Sequence, residues 1–126
     1  GYIFRIENTA NPTTAGKILL RTNKNANIPP DGLVSTSPLA YPNDLGWHHL
    51  ILVKSGTQGK IYVDGIQKST SSNNPFNPAN AAIGTAIGRA AVNAVSQSFN
   101  GVLDELRIYN RAVNGQEILG LYEQGI

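Results

Sequence analysis

Asp104 is the acidic residue whose place in the sequence most clearly demands a partner. It lies in the segment 99–109, where alternation puts it on the same strand face as Val102, Leu106 and Ile108. An unpaired carboxylate on an apolar face is costly. Asp104 must therefore pair with a cation, accept backbone hydrogen bonds, or lie beside a bulge that turns it outward.

The other carboxylates do not indicate an enzyme. Hydrolysis of a glycosidic bond needs two placed carboxylates, and the chain has eight acidic residues to supply them. Asp64 lies in a predicted turn, and Glu117 and Glu123 lie in a predicted helix. Asp104 and its neighbour Glu105 point to opposite faces of a strand. Because the sequence also lacks a nucleophile elbow, a phosphate loop and a histidine metal motif, we expect no catalytic activity.

Trp47, His48 and His49 are adjacent and carry other groups that could bind a ligand. Neighbours along a strand face opposite ways, so the two histidines cannot form a metal site by themselves, and we assign both of them structural roles. The indole of Trp47 could stack on a sugar ring. Packing in the core is the favoured interpretation for this side chain.

Composition excludes several classes of protein. The chain has 126 residues, enough for one domain, and its lack of cysteine rules out disulfides and cysteine-ligated metals. Its ten lysines and arginines are scattered rather than gathered into the basic stripe that nucleic acid requires. No run of about 18 apolar residues is present, so we expect no membrane insertion. Only 14% of residues are charged while Asn, Ser, Thr and Gly abound, which suits secreted β proteins. No signal peptide is present, so an export signal would lie outside this sequence.

The elements that would position these groups are centred on residues 46–70. A strand at 47–53 leads through a Gly-containing connection to the apolar residues 61–63, and Asp64-Gly65 then predicts a tight hairpin. Three strands would thus form an antiparallel meander. Both faces of the segment 47–53 are largely apolar, which predicts a place in the middle of a sheet covered on each side, or in a sheet bent over other elements.

Further strands and loops surround this meander. Alternating apolar residues predict strands at 2–7, 17–23, 33–36, 82–89 and 99–109, the first two forming a hairpin. Segments rich in Pro, Asn, Ser and Thr predict loops at 24–31, 37–46 and 69–80.

The end of the chain predicts a short helix. Asn114 is a good N-cap, Glu117 completes a capping box, and Gly125 ends the apolar periodicity. About eight strands, one terminal helix and no βαβ alternation indicate an all-β fold, a sandwich or barrel.

Three segments carry a resemblance to a known family. Residues 46–50 (GWHHL), 59–65 (GKIYVDG) and 99–112 (FNGVLDELRIYNRA) resemble, in content and in order, the laminin-G-like domains of the concanavalin A-like lectin/glucanase superfamily. The resemblance implies a jelly-roll sandwich of two antiparallel sheets. Since domains of this family are usually longer, with strands that would precede Tyr2, we expect residues 1–126 to be a single domain that forms the C-terminal part of a longer domain or chain.

The resemblance also bears on Asp104. Domains of this family often bind calcium, and the acid in the corresponding motif is a candidate ligand. Calcium would need several more oxygens, from carbonyls or from Asn and Asp side chains in loops. The alternative is a structural carboxylate that caps backbone amides.

For function, the resemblance implies a non-catalytic, extracellular or cell-surface module of a larger protein that recognises carbohydrate through its loops. The ligand-binding candidates in these loops are Tyr41, Asn43, Asp44, Asn74 and Phe76. The alternative is a structural or adhesive module that contacts extracellular proteins or neighbouring domains of its parent chain. That function would predict an apolar patch or an unpaired strand edge at residues 2–7. A remnant of a catalytic jelly roll is disfavoured by the arrangement of the acids.

Overall fold

The chain folds into two antiparallel sheets and one short helix. The computed structural model describes residues 2–7, 13–22, 32–42, 44–73, 86–89 and 98–125. In chain order the elements are β1 (Tyr2–Ile6), β2 (Ile18–Thr22), β3 (Gly32–Thr36), β4 (Leu50–Ser55), β5 (Gln58–Val63), β6 (Ile66–Gln67), β7 (Ser69–Asn73) and α1 (Gly115–Gln124). The larger sheet has the strand order β1-β2-β3-β7, and the smaller one has the order β4-β5-β6.

The core lies between the two sheets. In β2, Ile18 and Leu20 are buried and Leu19 is half-buried, as expected when alternate side chains face opposite ways. Ile18, Leu20 and Val34 of β3 form one cluster. Ile61 and Val63 of the smaller sheet belong to the same cluster. The two sheets therefore share a single hydrophobic core, which is the arrangement of a β-sandwich. This confirms the all-β fold with a jelly-roll type of architecture.

The predicted meander is present, and its turns fix its register. β4 and β5 pair antiparallel from Leu50↔Val63 to Ser55↔Gln58, so only Gly56 and Thr57 separate them. The second turn is Asp64-Gly65, with φ angles of 51° and 75°. Two successive positive φ angles are those of a two-residue hairpin turn that follows the twist of its strands.

The predicted helix and the first hairpin are also present. Asn114 accepts a hydrogen bond from Glu117 N–H, and the Glu117 carboxylate accepts one from Asn114 N–H, so the capping box is complete.

β1 and β2 pair antiparallel as expected. The helix α1 has 10 residues, and no helix in the described ranges is long and apolar enough to cross a membrane.

Two predicted strands differ from the structure. β4 lies at an edge of its sheet rather than in the middle, since no described strand pairs with its other side. Its side chains are half-buried on both faces. The segment 99–109 forms no strand, because no described strand lies beside it to supply ladder bonds and Glu105 breaks the extended backbone with φ 51°. Of the strand predicted at 82–89, only residues 86–89 are described, and Arg89 forms an isolated bridge with Ser98.

One predicted loop is partly a strand. Residues 69–80 were expected to form a surface loop, yet residues Ser69–Asn73 form β7 and pair antiparallel with β3. Serine and asparagine have weak strand preference, but the edge of β3 offers this segment backbone hydrogen-bond partners. Tertiary pairing therefore overrides local propensity here.

Candidate functional site

The loop between β3 and β4, residues 37–49, is anchored firmly to the turn that precedes β2. We call it the rim loop. Leu39 N–H donates to Ala15 O at 2.8 Å, and Tyr41 N–H donates to Gly16 O at 2.9 Å. The approach is close, since a Cβ built on Gly16 would lie 3.1 Å from both Leu39 Cα and Tyr41 O. Gly16 also has φ 65°. A side chain at this position would therefore meet both a steric clash and an unfavourable backbone conformation.

Two leucines of the rim loop have strained backbones and exposed side chains. Leu39 and Leu45 have φ angles of 59° and 64°, in the left-handed region that non-glycine residues seldom adopt. Leu39 is 76% exposed and Leu45 is fully exposed. Strained residues that persist in a well-anchored loop often mark functional surfaces. The rim loop therefore presents apolar side chains that do not contribute to the core.

Trp47 lies in the same loop and is also exposed. It is 70% exposed, so the prediction that it packs in the core is wrong. The reason is that β4 begins at Leu50, three residues later than expected, and Trp47 is therefore not carried onto a sheet face. An indole that is open to solvent can stack on a flat apolar surface, including the face of a sugar ring.

Beside Trp47, the imidazole of His48 lies between two carboxylates. Its Nε2 is 2.8 Å from Asp44 Oδ1 in the rim loop, and its Nδ1 is 2.9 Å from Asp64 Oδ2 in the β5–β6 turn. Tyr41 meets the same ring edge-on, with centroids 5.7 Å apart and planes at 74°. The His48 side chain is only 11% exposed. One buried ring therefore ties the rim loop to the hairpin turn.

These contacts shift the pKa values of His48 and Asp44. The hydrogen bonds to Asp44 and then to Asp64 raise the pKa of His48 above its ordinary value of 6.5. The bond from His48, helped by Gly46 N–H, lowers the pKa of Asp44. Both shifts favour the ion pair between an imidazolium and two carboxylates.

Asp64 has a second structural contact in addition to its place in the turn. Its Oδ1 accepts a hydrogen bond from His49 N–H at 2.9 Å, and its own N–H donates to His49 O at 2.9 Å. This extends the β4–β5 ladder by one residue pair beyond Leu50↔Val63. The carboxylate therefore fixes both the backbone at His49 and the ring of His48.

His49 has an environment unlike that of its neighbour. Its ring faces Tyr122 of α1, with centroids 6.1 Å apart. Burial lowers the pKa of His49, and the Nδ1 atom has no hydrogen-bond partner among the described residues. The two histidines thus contact different parts of the molecule.

Of the candidate ligand residues, Tyr41 and Asp44 are brought together by their shared contact with His48. The Asp44 side chain is 61% exposed, and its Oδ2 makes no hydrogen bond to a described residue. Asn43, Asn74 and Phe76 lie outside the described residues. Their roles as ligand candidates stay predictions.

Asp104 lies on an exposed segment and not on a buried apolar face. Its Oδ1 accepts a hydrogen bond from Glu105 N–H at 2.7 Å. Within the ranges that the structure covers, no three His, Cys, Asp or Glu side chains gather as a metal site would require. Calcium binding at Asp104 stays a prediction.

Most carboxylates in the described residues are held by a cation. Glu7 pairs with Arg5, Glu105 with Arg107, and Glu117 with Arg111, while Asp44 and Asp64 share His48. In that last group the imidazole fills the space between the two acids, where a glycosidase would need its substrate. The ion pair with Arg111, helped by the backbone N–H of Asn114, also lowers the pKa of Glu117 to about 2.

The link between His48 and Asp64 was missed from the sequence, although the turn between β4 and β5 contains the signal for it. A two-residue turn at Gly56-Thr57 places Leu50 opposite Val63, and hence His49 opposite Asp64. His48 is then the next residue outward. The exposure of Trp47 has no comparable sequence signal.

Comparisons with known proteins agree with this fold. The profile described as the concanavalin A-like lectin/glucanases superfamily, of laminin-G type, matches residues 1–119. No curated protein matches the chain. A crystal structure of an S-layer domain-containing protein from Clostridium thermocellum (residues 221–444) is similar, with a TM-score of 0.51 and 21% identity over 86% of this chain. The match spans 52% of that structure's chain. Two antiparallel sheets around one core and a family match over residues 1–119 together show that the chain belongs to the concanavalin A-like lectin/glucanase superfamily.

Proposed function

We propose that this domain is a non-catalytic binding module of an extracellular or cell-surface protein and that it recognises carbohydrate through the rim loop. The observation that carries the proposal is the exposed indole of Trp47 on a loop held by hydrogen bonds to the turn before β2 at one end and to Asp64 at the other. A sugar ring presents an apolar face to an aromatic side chain, and a rigid loop loses little entropy on binding.

Asp44 adds a polar group to the proposed site from the same loop. Its Oδ2, which makes no hydrogen bond to a described residue, can accept hydrogen bonds from sugar hydroxyls, while Oδ1 remains bound to His48 and Gly46. Leu39 and Leu45 add apolar contact area on the same loop. An aromatic ring beside a few polar groups can offer both stacking and hydrogen bonds to a sugar.

The setting of the module is inferred from its fold and neighbour. The similar crystal structure is of an S-layer domain-containing protein, and this chain spans about half of it. This supports a place within a larger surface protein. The occupation of the Asp44–Asp64 gap by His48 supports a binding role over a hydrolytic one.

The test is a fluorescence titration of the chain with soluble β-glucan, mannan and N-acetylglucosamine oligomers. Trp47 is the single tryptophan, so a ligand that stacks on it must change the intrinsic fluorescence. Calorimetry of Trp47→Ala should then show affinity reduced at least about tenfold, which corresponds to about 1.4 kcal/mol. Phe4→Ala, which removes an exposed aromatic ring from β1, is the matched control and should bind normally. Equal affinity of Trp47→Ala and the original chain would exclude the rim loop as the site.

A structural or adhesive module is the second candidate, and β1 is the observation that favours it. β1 is an edge strand with no described neighbour on its outer side, and Tyr2, Ile3 and Phe4 are all exposed. Such an edge is a template for pairing with another strand. In this case sedimentation or pull-down with extracellular partner proteins would depend on Phe4 and not on Trp47, which reverses the pattern expected for carbohydrate.

A further inference from the structure

The hydrogen bonds of His48 require a particular protonation state. Both ring nitrogens lie within 2.9 Å of carboxylate oxygens, which accept hydrogen bonds and donate none when ionised. A neutral imidazole has one N–H and can satisfy only one of these carboxylates. Only the imidazolium donates to Asp44 and Asp64 at the same time, so the observed geometry is that of the protonated ring.

The two carboxylates differ in what they would lose if the ring were deprotonated. The Asp64 side chain is 27% exposed and is also held by His49 N–H, so it is poorly placed to be solvated instead. The Asp44 side chain is 61% exposed and can exchange His48 for water. The remaining ring proton should therefore stay on Nδ1 facing Asp64, and Nε2 should turn a lone pair toward Asp44.

Few other groups face the His48 ring. From the rim loop it meets Asp44 and the edge of Tyr41, and from the β5–β6 turn it meets Asp64. The helix α1 reaches His49 through Tyr122 instead. The charged groups that act on His48 in the described residues are thus the two carboxylates, both of which favour the imidazolium.

We infer that His48 is the positioning residue of the rim loop and that its protonation acts as a latch. When the ring is protonated it holds Asp44, and through Asp44 the short segment that carries Leu45, Gly46 and Trp47. Loss of the proton breaks the hydrogen bond between Nε2 and Asp44, whereas the hydrogen bond between Nδ1 and Asp64 remains. The latch itself follows from the geometry of the unliganded chain, whereas its effect on saccharide affinity rests on the proposed function.

The latch can be tested without any ligand. The fluorescence of Trp47, followed from pH 5 to pH 10, should show a transition with its midpoint above 6.5, the ordinary value for histidine. The variant His48→Gln should lack this transition, and His49→Gln should keep it. Absence of the transition in the original chain, or its persistence in His48→Gln, would overturn the latch.

A second variant separates a latch from a merely structural histidine. Asp44→Asn changes an exposed side chain and should leave the fold intact. In this variant NMR should still detect titration of the His48 ring beside Asp64, but the Trp47 transition should be lost because the link to the loop is gone. A Trp47 transition unchanged in Asp44→Asn would mean that the loop is not held through Asp44.

Binding measurements then connect the latch to the proposed function. With a saccharide that binds, the affinity of the original chain should fall as pH rises through the Trp47 transition, and that of His48→Gln should stay flat. Affinity that does not change across the transition would overturn the positioning role. If no saccharide binds at any pH while the ligand-free transition is present, the latch stands and the carbohydrate proposal fails.

Discussion

His48 and Asp64 are 16 positions apart, yet Nδ1 of one lies 2.9 Å from Oδ2 of the other. The Gly56-Thr57 turn brings them together, because the β4–β5 register that it sets places residue 49 beside residue 64. The contact joins the segment leading into β4 to the turn that ends β5. Its charge makes the stability of the domain depend on pH.

Replacing Asp64 by Asn should test the charge of this contact without breaking the turn, since Asn-Gly also favours such turns. At pH 6 we expect a loss of about 2 kcal/mol in the free energy of unfolding, the usual contribution of a hydrogen bond to a charged group. At pH 9 the loss should be much smaller, because the neutral ring can accept a hydrogen bond from the amide. Urea denaturation at the two pH values measures both. Asp104→Asn is the control, since that exposed carboxylate bonds only to Glu105 N–H among the described residues. A loss of equal size at pH 6 and pH 9 would contradict the charge-based explanation.

The two adjacent histidines should give the stability curve a maximum near pH 6.5. The raised pKa of His48 means that the folded state binds more protons than the unfolded chain above 6.5, so its contribution is full below 6.5 and is lost as pH rises through the raised value. Burial lowers the pKa of His49, so stability should also decrease as pH falls from 6.5 through that lowered value. Urea denaturation across pH 4.5–9.5 measures the curve.

Each limb of that curve has its own control. His48→Gln should flatten the alkaline limb and leave the acidic one, and His49→Gln should do the reverse. The low pKa of Glu117, about 2, should keep its ion pair with Arg111 intact throughout this range. A curve that rises steadily from pH 5 to pH 9 would show that His48 is not held by the carboxylates in solution.

Gly65 and Gly56 offer a matched pair for measuring the contact between the hairpin turn and α1. Both have positive φ, 75° and 56°, so alanine at either position should cost about 1 kcal/mol in backbone conformation. A Cβ at Gly65 would in addition lie 3.2 Å from Tyr122 Cδ1, whereas at Gly56 nothing lies within 4 Å. Urea denaturation should therefore show a larger loss for Gly65→Ala. Equal losses would mean that the Tyr122 ring moves aside freely.

Gly16→Ala should disturb the rim loop from its anchored side. The added Cβ would lie 3.1 Å from backbone atoms of Leu39 and Tyr41, which cannot move as a flexible side chain can. We expect a greater loss of stability than for Gly56→Ala and a change in the acrylamide quenching of Trp47. Gly115→Ala, where a Cβ meets nothing within 4 Å, is the neutral control. Unaltered quenching together with unaltered stability would show that the loop is not anchored at Gly16.

Local patterns in the sequence predicted the elements whose determinants are local. The Asp64-Gly65 turn needs only residues that tolerate positive φ, and the start of α1 needs only Asn114 and Glu117 at the right spacing. β7 was missed because its Ser and Asn residues form a strand only when β3 is beside them. The prediction for the segment 99–109 was wrong in the opposite way. The sequence alternates as a strand would, but no described strand pairs with it and no strand forms. Strand formation in both segments depends on a neighbour that local sequence does not reveal.

The candidate site was predicted in part. The loop and two of its residues, Tyr41 and Asp44, were chosen from composition, and their common contact with His48 depends on the strand register. Trp47 was assigned to the core because apolar strands usually bury their aromatics. Its exposure depends on where β4 begins, and a shift of three residues lies within the usual uncertainty of strand boundaries.

Leu39 and Leu45 are not the residues that would give these two positions the greatest stability. At φ angles of 59° and 64°, glycine would remove the backbone strain, and the exposed leucine side chains add little to the core. A redesign of this domain for thermal tolerance would therefore replace both leucines early. The resulting protein would melt at a higher temperature while losing apolar surface from its rim loop, so heat resistance and the proposed ligand recognition would be opposing engineering goals in this loop.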